Sequence, residues 1–289
     1  MTTLVPAIRD AYAEVERRVR ARSRTFRHAT ALLPPEQRTA LRVAYCFFRT
    51  IDDLVDSGHC TPETLQELSR QVMRPGEEQT DPVLAAWADV RERFAVNPQY
   101  VTELLGGIAS DLAPQRFETF DELWHYCYCV ASTAGLMIVP IIGLKSGVSF
   151  EAAAPYAIKL GMALQFTNVL RDIDEDLQQN RLYLPLAELT RLGLTESDLR
   201  ARLVDDRFKH LMKRLIGVNR TLYSEALPGV GMLSTYGRWA VGLGAVVYRA
   251  ILDEIERVNY DVLTRRASPG RLARLGVLLT QWPEVAWPR

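Results

Sequence analysis

The segment from Leu160 to Asp176 runs apolar as far as Leu170 and then turns acidic, with no glycine or proline after Gly161. At about 3.6 residues per turn it reads as one long helix. Gln165, Asn168, Asp172 and Asp176 then fall on a single stripe, three or four residues apart, while Asp174 faces roughly two hundred degrees away from Asp172. Two carboxylates one turn apart repel each other, so something must neutralise them. A carboxylate face with an amide oxygen beside it suits a hard divalent cation such as magnesium. An acidic run on a helix is also a common solvated face. Here it continues an apolar helix, which points into a cleft as readily as into water.

The rest of the chain also reads as helix. Four starts pair a capping residue with a proline: Thr61-Pro62, Asp81-Pro82, Asn97-Pro98 and Ser268-Pro269. Thr119 with Glu122 and Thr195 with Asp198 have capping-box spacing. Period-two alternation is missing, so no sheet is expected. Helices are expected over residues 3–22, 36–57, 62–74, 82–95, 98–112, 120–144, 150–178, 198–226, 237–262 and 269–280. No repeat or long linker divides them, and an apolar content of 48% supports one full core over residues 1–289. The fold class is all-α, a single helical domain.

Lys plus Arg and Asp plus Glu balance at 35 each. That removes the electrostatic footprint of a nucleic-acid binder, and no nucleic-acid partner is expected. Cys46, Cys60, Cys127 and Cys129 form no CxxC pair and read as buried thiols of a reducing cytoplasm. The longest apolar runs, Val130–Leu144 and Trp239–Tyr248, are shorter than the ~20 residues of a membrane span.

Three further stretches carry chemistry. Arg22 to Phe26 offers Ser23, Arg24 and Thr25, which suit a phosphate or form an ordinary polar break. Tyr45, Arg49, Asp52 and Asp56 align on one helix face, and Asp52 and Asp56 repeat the one-turn spacing of Asp172 and Asp176. Facing each other, the two acidic helices would cage metal ions and an anionic ligand; an Arg49–Asp53 surface ion pair is the simpler alternative for that pair. In the third stretch, Tyr126, Val130, Thr133 and Met137 share a face beside the small residues Ala131, Ser132, Ala134 and Gly135. That composition suits a roomy apolar wall or close helix packing, and the stretch alone does not choose. Trp87 and Phe94 read as core.

Asp52-Asp53-Leu54-Val55-Asp56, the stretch Tyr126 to Gly135, and Leu160 to Pro185 together resemble the squalene/phytoene synthases, the head-to-head branch of the isoprenyl diphosphate synthases. The similarity runs from about Ser23 to about Arg265. The third motif fits at Gln165, Asn168, Arg171, Asp172, Asp176, Arg181, Tyr183 and Pro185. Ser132 and Ala134 stand where the family often has Gly and Val, and the tail Asn259 to Arg266 is most similar to phytoene synthases.

The resemblance implies an isoprenoid-synthase bundle around a central cavity. It implies Asp52, Asp56, Asn168, Asp172 and Asp176 as magnesium ligands, with manganese as a substitute. It implies diphosphate contacts from Ser23, Arg24, Thr25, Tyr45, Arg49, Gln165, Arg171 and Tyr248, with Arg181, Tyr183 and Arg265 close by. It makes Tyr126 the phenol that handles a proton near the reacting carbons, with Asp52, Asp56, Asp172 and Asp176 as the other catalytic groups. The expected reaction joins two geranylgeranyl diphosphates into phytoene, in the cytoplasm, with peripheral membrane contact to release so greasy a product. The alternative within the family acts on farnesyl diphosphate to give presqualene diphosphate, squalene or diapophytoene, and needs NADPH only for squalene. A class I terpene cyclase is disfavoured by the Arg181–Pro185 tail. A silent lipid-binding helical partner is disfavoured by five intact ligand positions.

Overall fold

The computed structural model describes residues 6–22, 30–31, 33–57 and 60–270. Ser23, Arg24 and Thr25 lie outside the described residues, as do the Asp56 side chain and most of the 269–280 helix. Among the described residues there is no strand, only two isolated bridges, Arg116 with Leu182 and Leu144 with Leu233.

The helices are α1 (Pro6–Arg22), α2 (Pro35–Asp56), α3 (Pro62–Met73), α4 (Pro82–Arg93), α5 (Gln99–Ser110), α6 (Phe120–Cys127), α7 (Thr133–Ile142), α8 (Phe150–Arg171), α9 (Ile173–Gln178), α10 (Leu186–Arg191), α11 (Glu196–Arg200), α12 (Asp206–Ala226) and α13 (Thr235–Arg257). Several starts follow the caps in the sequence, although α5 begins at Gln99 with Pro98 rather than Asn97 at its cap and no side-chain cap bond. Asp81 accepts from the Val83 and Leu84 amides, and Thr61 and Thr195 close reciprocal capping boxes. Thr119 closes only half of one, because Glu122 accepts from the Glu118 amide instead. The expected 198–226 helix is split: Asp205 caps a fresh start at Asp206 by accepting from the Phe208 amide at 3.0 Å. The short α10 was not foreseen. The expected 237–262 helix stops at Arg257, where Asn259 and Tyr260 take left-handed backbone angles.

Two cores form. α1, α2 and α4 build the first, in which Trp87 stacks on Phe47 at 4.5 Å, while Phe94 is only half-buried. α8, α12 and α13 build the second around Phe166, Phe208, Tyr223 and Leu252. The α6–α7 rod serves both: Leu123 and Cys127 enter the second core, and Met137 and Ile141 enter the first. α7 packs on α2 at one side and on α8 at the other, so it stands between the two acidic helices. The rod Phe120–Ile142 is long and apolar enough to cross a membrane by length and composition, unlike the runs read from sequence, but more than half of it is buried within the fold.

The rod is not a uniform helix. Tyr128–Ser132 is one π-helical turn, and the wider turn offsets the register of everything after it. Tyr126, Val130, Thr133 and Met137 therefore do not form one wall. Tyr126 and Met137 enter different cores, while Ala131, Gly135, Ile138, Val139 and Ile142 face a cavity. Both readings of the small residues hold, at different positions. Ala131 and Gly135 leave room, whereas Ser132 is at closest approach to Gly161 of α8.

A Cβ on Gly161 would lie 2.5 Å from Ser132 Cα. Gly161→Ala must push α8 off the π turn, and overpacking of this kind costs about 1–3 kcal/mol. Urea denaturation should show that loss, and an unchanged midpoint would contradict the close contact.

Candidate active site

The helix read as 150–178 is interrupted once, at Asp172. Its backbone leaves helical angles (φ −106°, ψ 21°) and closes α8 while opening α9. The hydrogen-bond ladder still runs through it, from the Asp172 amide to Asn168 and from the Asp176 amide to Asp172. The stripe therefore survives the break. Asn168 Nδ2 donates to Gln165 Oε1 at 3.2 Å, which leaves Asn168 Oδ1 buried with no hydrogen-bond partner. Such an orphan acceptor is costly unless something fills it.

Asp172 has the opposite problem. Arg171 grips it with Nε at 2.7 Å from Oδ1 and with a second bond from Nη2. Arg266, from the segment after α13, grips it again with Nε to Oδ1 at 3.0 Å and Nη2 to Oδ2 at 3.2 Å. Among the described residues Asp176 makes no ion pair with an arginine. Burial, and then the Asp172 charge, push its carboxyl from 3.8 up to about 7. Among the described residues no three His, Cys, Asp or Glu side chains form a ready metal cage. The donor set nonetheless fits a hard cation: an unsatisfied amide oxygen and an under-neutralised carboxylate beside a second carboxylate.

Next to this acidic end lies an apolar cavity of about 300 Å³. Its walls come from the α6–α7 rod (Ala131, Gly135, Ile138), from α8 (Ala157, Leu160, Leu164) and from α13 (Val241, Gly244, Tyr248). Tyr248 also lines a polar depression with Arg171 and Arg266. Those two arginines in turn line an acidic depression with Asp172, Glu175 and Arg265. Asp172 holds the Arg171 guanidinium charged, and the nearby Tyr248 adds to that. Apolar space, phenol, guanidinium and carboxylate thus follow one another without a gap.

Other residues expected at the site are placed differently. Tyr126 is buried and does not line this cavity. Its hydroxyl donates to Asp111 Oδ2 at 2.8 Å, and Tyr183 donates to Asp111 Oδ1 at 2.7 Å. The two rings stack at 4.9 Å. Arg181 donates to the Asp111 carbonyl at 2.8 Å. Asp111 closes α5, in a stretch to which the sequence reading assigned no chemistry. Burial raises its carboxyl while the two phenols and Arg181 oppose that, and burial beside this acid keeps both phenols firmly protonated.

The first acidic motif sits at the exposed end of α2. Arg49 bonds Asp53 at 3.0 Å and Asp52 at 3.3 Å, and Arg22 also bonds Asp53. This is the i,i+4 surface pair that competed with the metal reading. Tyr45 is half-buried against the first core. The ion pairs shown for this motif stay within α1 and α2. Arg265 pairs with Asp261 at 3.3 Å.

The profile of squalene/phytoene synthases matches residues 19–273. The chain belongs to this family. It is 38% identical over 281 residues to the chloroplastic phytoene synthase of Narcissus pseudonarcissus, covering 94% of this chain and 66% of that relative. It is 39% identical over 255 residues to chloroplastic phytoene synthase 2 of Solanum lycopersicum, covering 85% and 81%. The chain spans a little under two-thirds of the length of several such relatives, 62% for phytoene synthase 1 of Arabidopsis thaliana. Its fold is similar to a crystallised dehydrosqualene synthase, with a TM-score of 0.82 and 28% identity over 96% of each chain. Squalene synthase HpnC from Alicyclobacillus acidocaldarius shares the fold at a TM-score of 0.76. The fold of this family member is therefore the squalene-synthase bundle.

Burial favours the protonated form of Asp176. That contribution is intact below about pH 4 and is lost as pH rises through about 7, at a cost on the order of 4 kcal/mol. Asp176→Asn should raise the metal-free melting temperature above pH 7 and leave it unchanged near pH 4. Parallel melting curves across that range would refute the burial of this charge.

Proposed function

We propose that this chain joins two allylic isoprenyl diphosphates head to head, and that its substrates are two geranylgeranyl diphosphates and its product phytoene. The observation that carries this reading is the shared lining: Tyr248 belongs both to the apolar cavity and to the depression of Arg171 and Arg266, which borders Asp172. A hydrocarbon tail in the cavity brings its diphosphate to the arginines and the acids. The phytoene synthase names of the 38–39% identical relatives support the longer substrate.

Asn168, Asp172 and Asp176 would hold magnesium, or manganese in its place, and the bound cation supplies neutralising charge to the departing pyrophosphate. Asp52 and Asp56 are proposed to do the same from α2. Arg171 and Tyr248 orient the diphosphate by hydrogen bonds at the cavity mouth. Ser23, Arg24, Thr25, Tyr45, Arg49, Gln165, Arg181, Tyr183 and Arg265 are the other proposed contacts. The walls of Ala131, Gly135, Leu160 and Leu164 exclude the water that would quench an allylic cation.

In the substrates, loss of pyrophosphate gives an allylic cation that the second substrate's double bond attacks. Proton loss closes a cyclopropane and leaves a prephytoene-type diphosphate. A second ionisation opens that ring to the new central bond, and a second proton loss completes phytoene. Tyr126, fixed by Asp111, is the proposed phenol for proton handling. The structural similarity to a dehydrosqualene synthase supports a second reading, farnesyl diphosphate as substrate, with NADPH needed only if squalene is made.

Tyr236, Trp239 and Leu243 are roughly half-exposed at i, i+3 and i+7 on α13, the helix that also lines the cavity. They support a peripheral membrane contact for product release. Four free cysteines support a cytoplasmic location.

Purified protein with magnesium should turn geranylgeranyl diphosphate into phytoene without NADPH. Only farnesyl-derived products would overturn the chain length, and no pyrophosphate release from either substrate would overturn the enzyme. Asp172→Ala or Asp52→Ala should abolish turnover while circular dichroism stays unchanged. A Cβ on Gly135 would meet only the Ala157 carbonyl oxygen, at 3.6 Å, so Gly135→Leu should fold and fill the cavity. It should shift preference toward farnesyl diphosphate by tenfold or more, as lost room for about two kcal/mol of apolar contact implies.

A further inference from the structure

A carboxylate offers about four lone-pair positions. The two guanidinium forks on Asp172, from Arg171 and Arg266, use four hydrogen bonds between them. A cation can reach Asp172 only by displacing one fork. The two arginines are not equally held. The Arg171 side chain is 14% exposed on the last turn of α8, whereas the Arg266 side chain is 53% exposed. Arg266 is also flanked by anchors, since Leu263 and Ala267 are buried in the second core. The backbone there is anchored, while the half-exposed side chain is held, among the described residues, only by Asp172 and, more loosely, by Glu175 at 3.7 Å, and could turn away once Asp172 is neutralised otherwise.

Where it would swing is also defined. Arg266 lines the acidic depression with Asp172 and Glu175, and it lines the adjoining depression with Tyr248 and Ser268. That second depression opens onto Tyr248 at the mouth of the apolar cavity. A diphosphate whose tail fills the cavity brings its oxygens there.

We propose that Arg266 is a resident stand-in for the metal: its guanidinium neutralises Asp172 until a divalent cation arrives, and then turns to grip the diphosphate. One charge is thereby exchanged for another at Asp172, and the released guanidinium meets the anion that enters with the cation. Arginine suits both partners because its planar fork matches carboxylate and phosphate alike. The inference rests on the proposed metal-dependent diphosphate site and adds a residue outside the contacts expected from sequence.

Titration calorimetry on the full chain separates this swap from a plain structural ion pair. The probes are magnesium alone and inorganic pyrophosphate at saturating magnesium, applied to the native protein, Arg266→Ala and Arg266→Gln. Loss of a competing, half-exposed ion pair should tighten magnesium binding about threefold to fivefold. Loss of a charge-assisted contact should weaken pyrophosphate about tenfold. The opposite signs are the signature, and Arg266→Gln supplies them if the alanine variant does not fold. Equal weakening of both ligands, or no change in either, overturns the swap while leaving the metal site standing. Failure of the native protein to bind magnesium with or without pyrophosphate overturns both.

Discussion

The structure depends on how carboxylates at the end of an apolar helix are kept tolerable. α8 carries Leu160, Leu164, Phe166 and Leu170 into the second core and lining, then delivers Asp172 at its end, with Asp176 one turn further on in α9. Desolvating a carboxylate costs several kcal/mol unless it is paired. Arginines from two segments far apart in sequence therefore converge on Asp172, and the segment after α13 is folded back to bring Arg266 there. Asp176 receives the more distant influence of Arg181, and burial still pushes its carboxyl up to about 7.

A second constraint is the π turn at Tyr128–Ser132. Before it, the rod presents Tyr126 to Asp111; after it, the rod presents Gly135 and Ile138 to the cavity. A regular helix would put Tyr126 and Met137 on one face and would fill or unfill the cavity accordingly. Gly161 and Gly107 fit against this turn so closely that a Cβ on either would lie within 2.7 Å of Ser132 or Cys129 atoms. The distortion is thus clamped from two sides, by α8 and by α5.

Much of this was legible in the residues. Helix periodicity and capping pairs located most elements, because both are local and the Thr61, Asp81 and Thr195 caps form as their spacing implies. The Gln165–Asp176 stripe was equally local. What failed was long-range or register-dependent. Nothing near Asp111 in sequence reveals that Tyr126, Tyr183 and Arg181 will meet on it, from 15, 72 and 70 residues away. The wall residues of the rod were misassigned because a single π turn offsets all that follow it. The break at Asp172 was invisible for the opposite reason: its hydrogen bonds continue the helix, and only its own backbone angles depart.

The contrast between the neighbours on the stripe argues that this end of α8 is built for a ligand. If the acids served stability alone, the satisfied state would extend to all of them. Instead, two guanidiniums crowd one carboxylate, another is pushed up to about 7 by burial, and among the described residues the Asn168 amide oxygen is buried with no partner. An apolar residue at position 168 would remove that orphan but would also take the Asn168 donor from Gln165. A cation, which takes oxygen donors, would satisfy that oxygen. The same logic explains the exposed arginine: a permanent partner for Asp172 would be shielded as Arg171 is, and a replaceable one is kept within reach of solvent and of the cavity mouth.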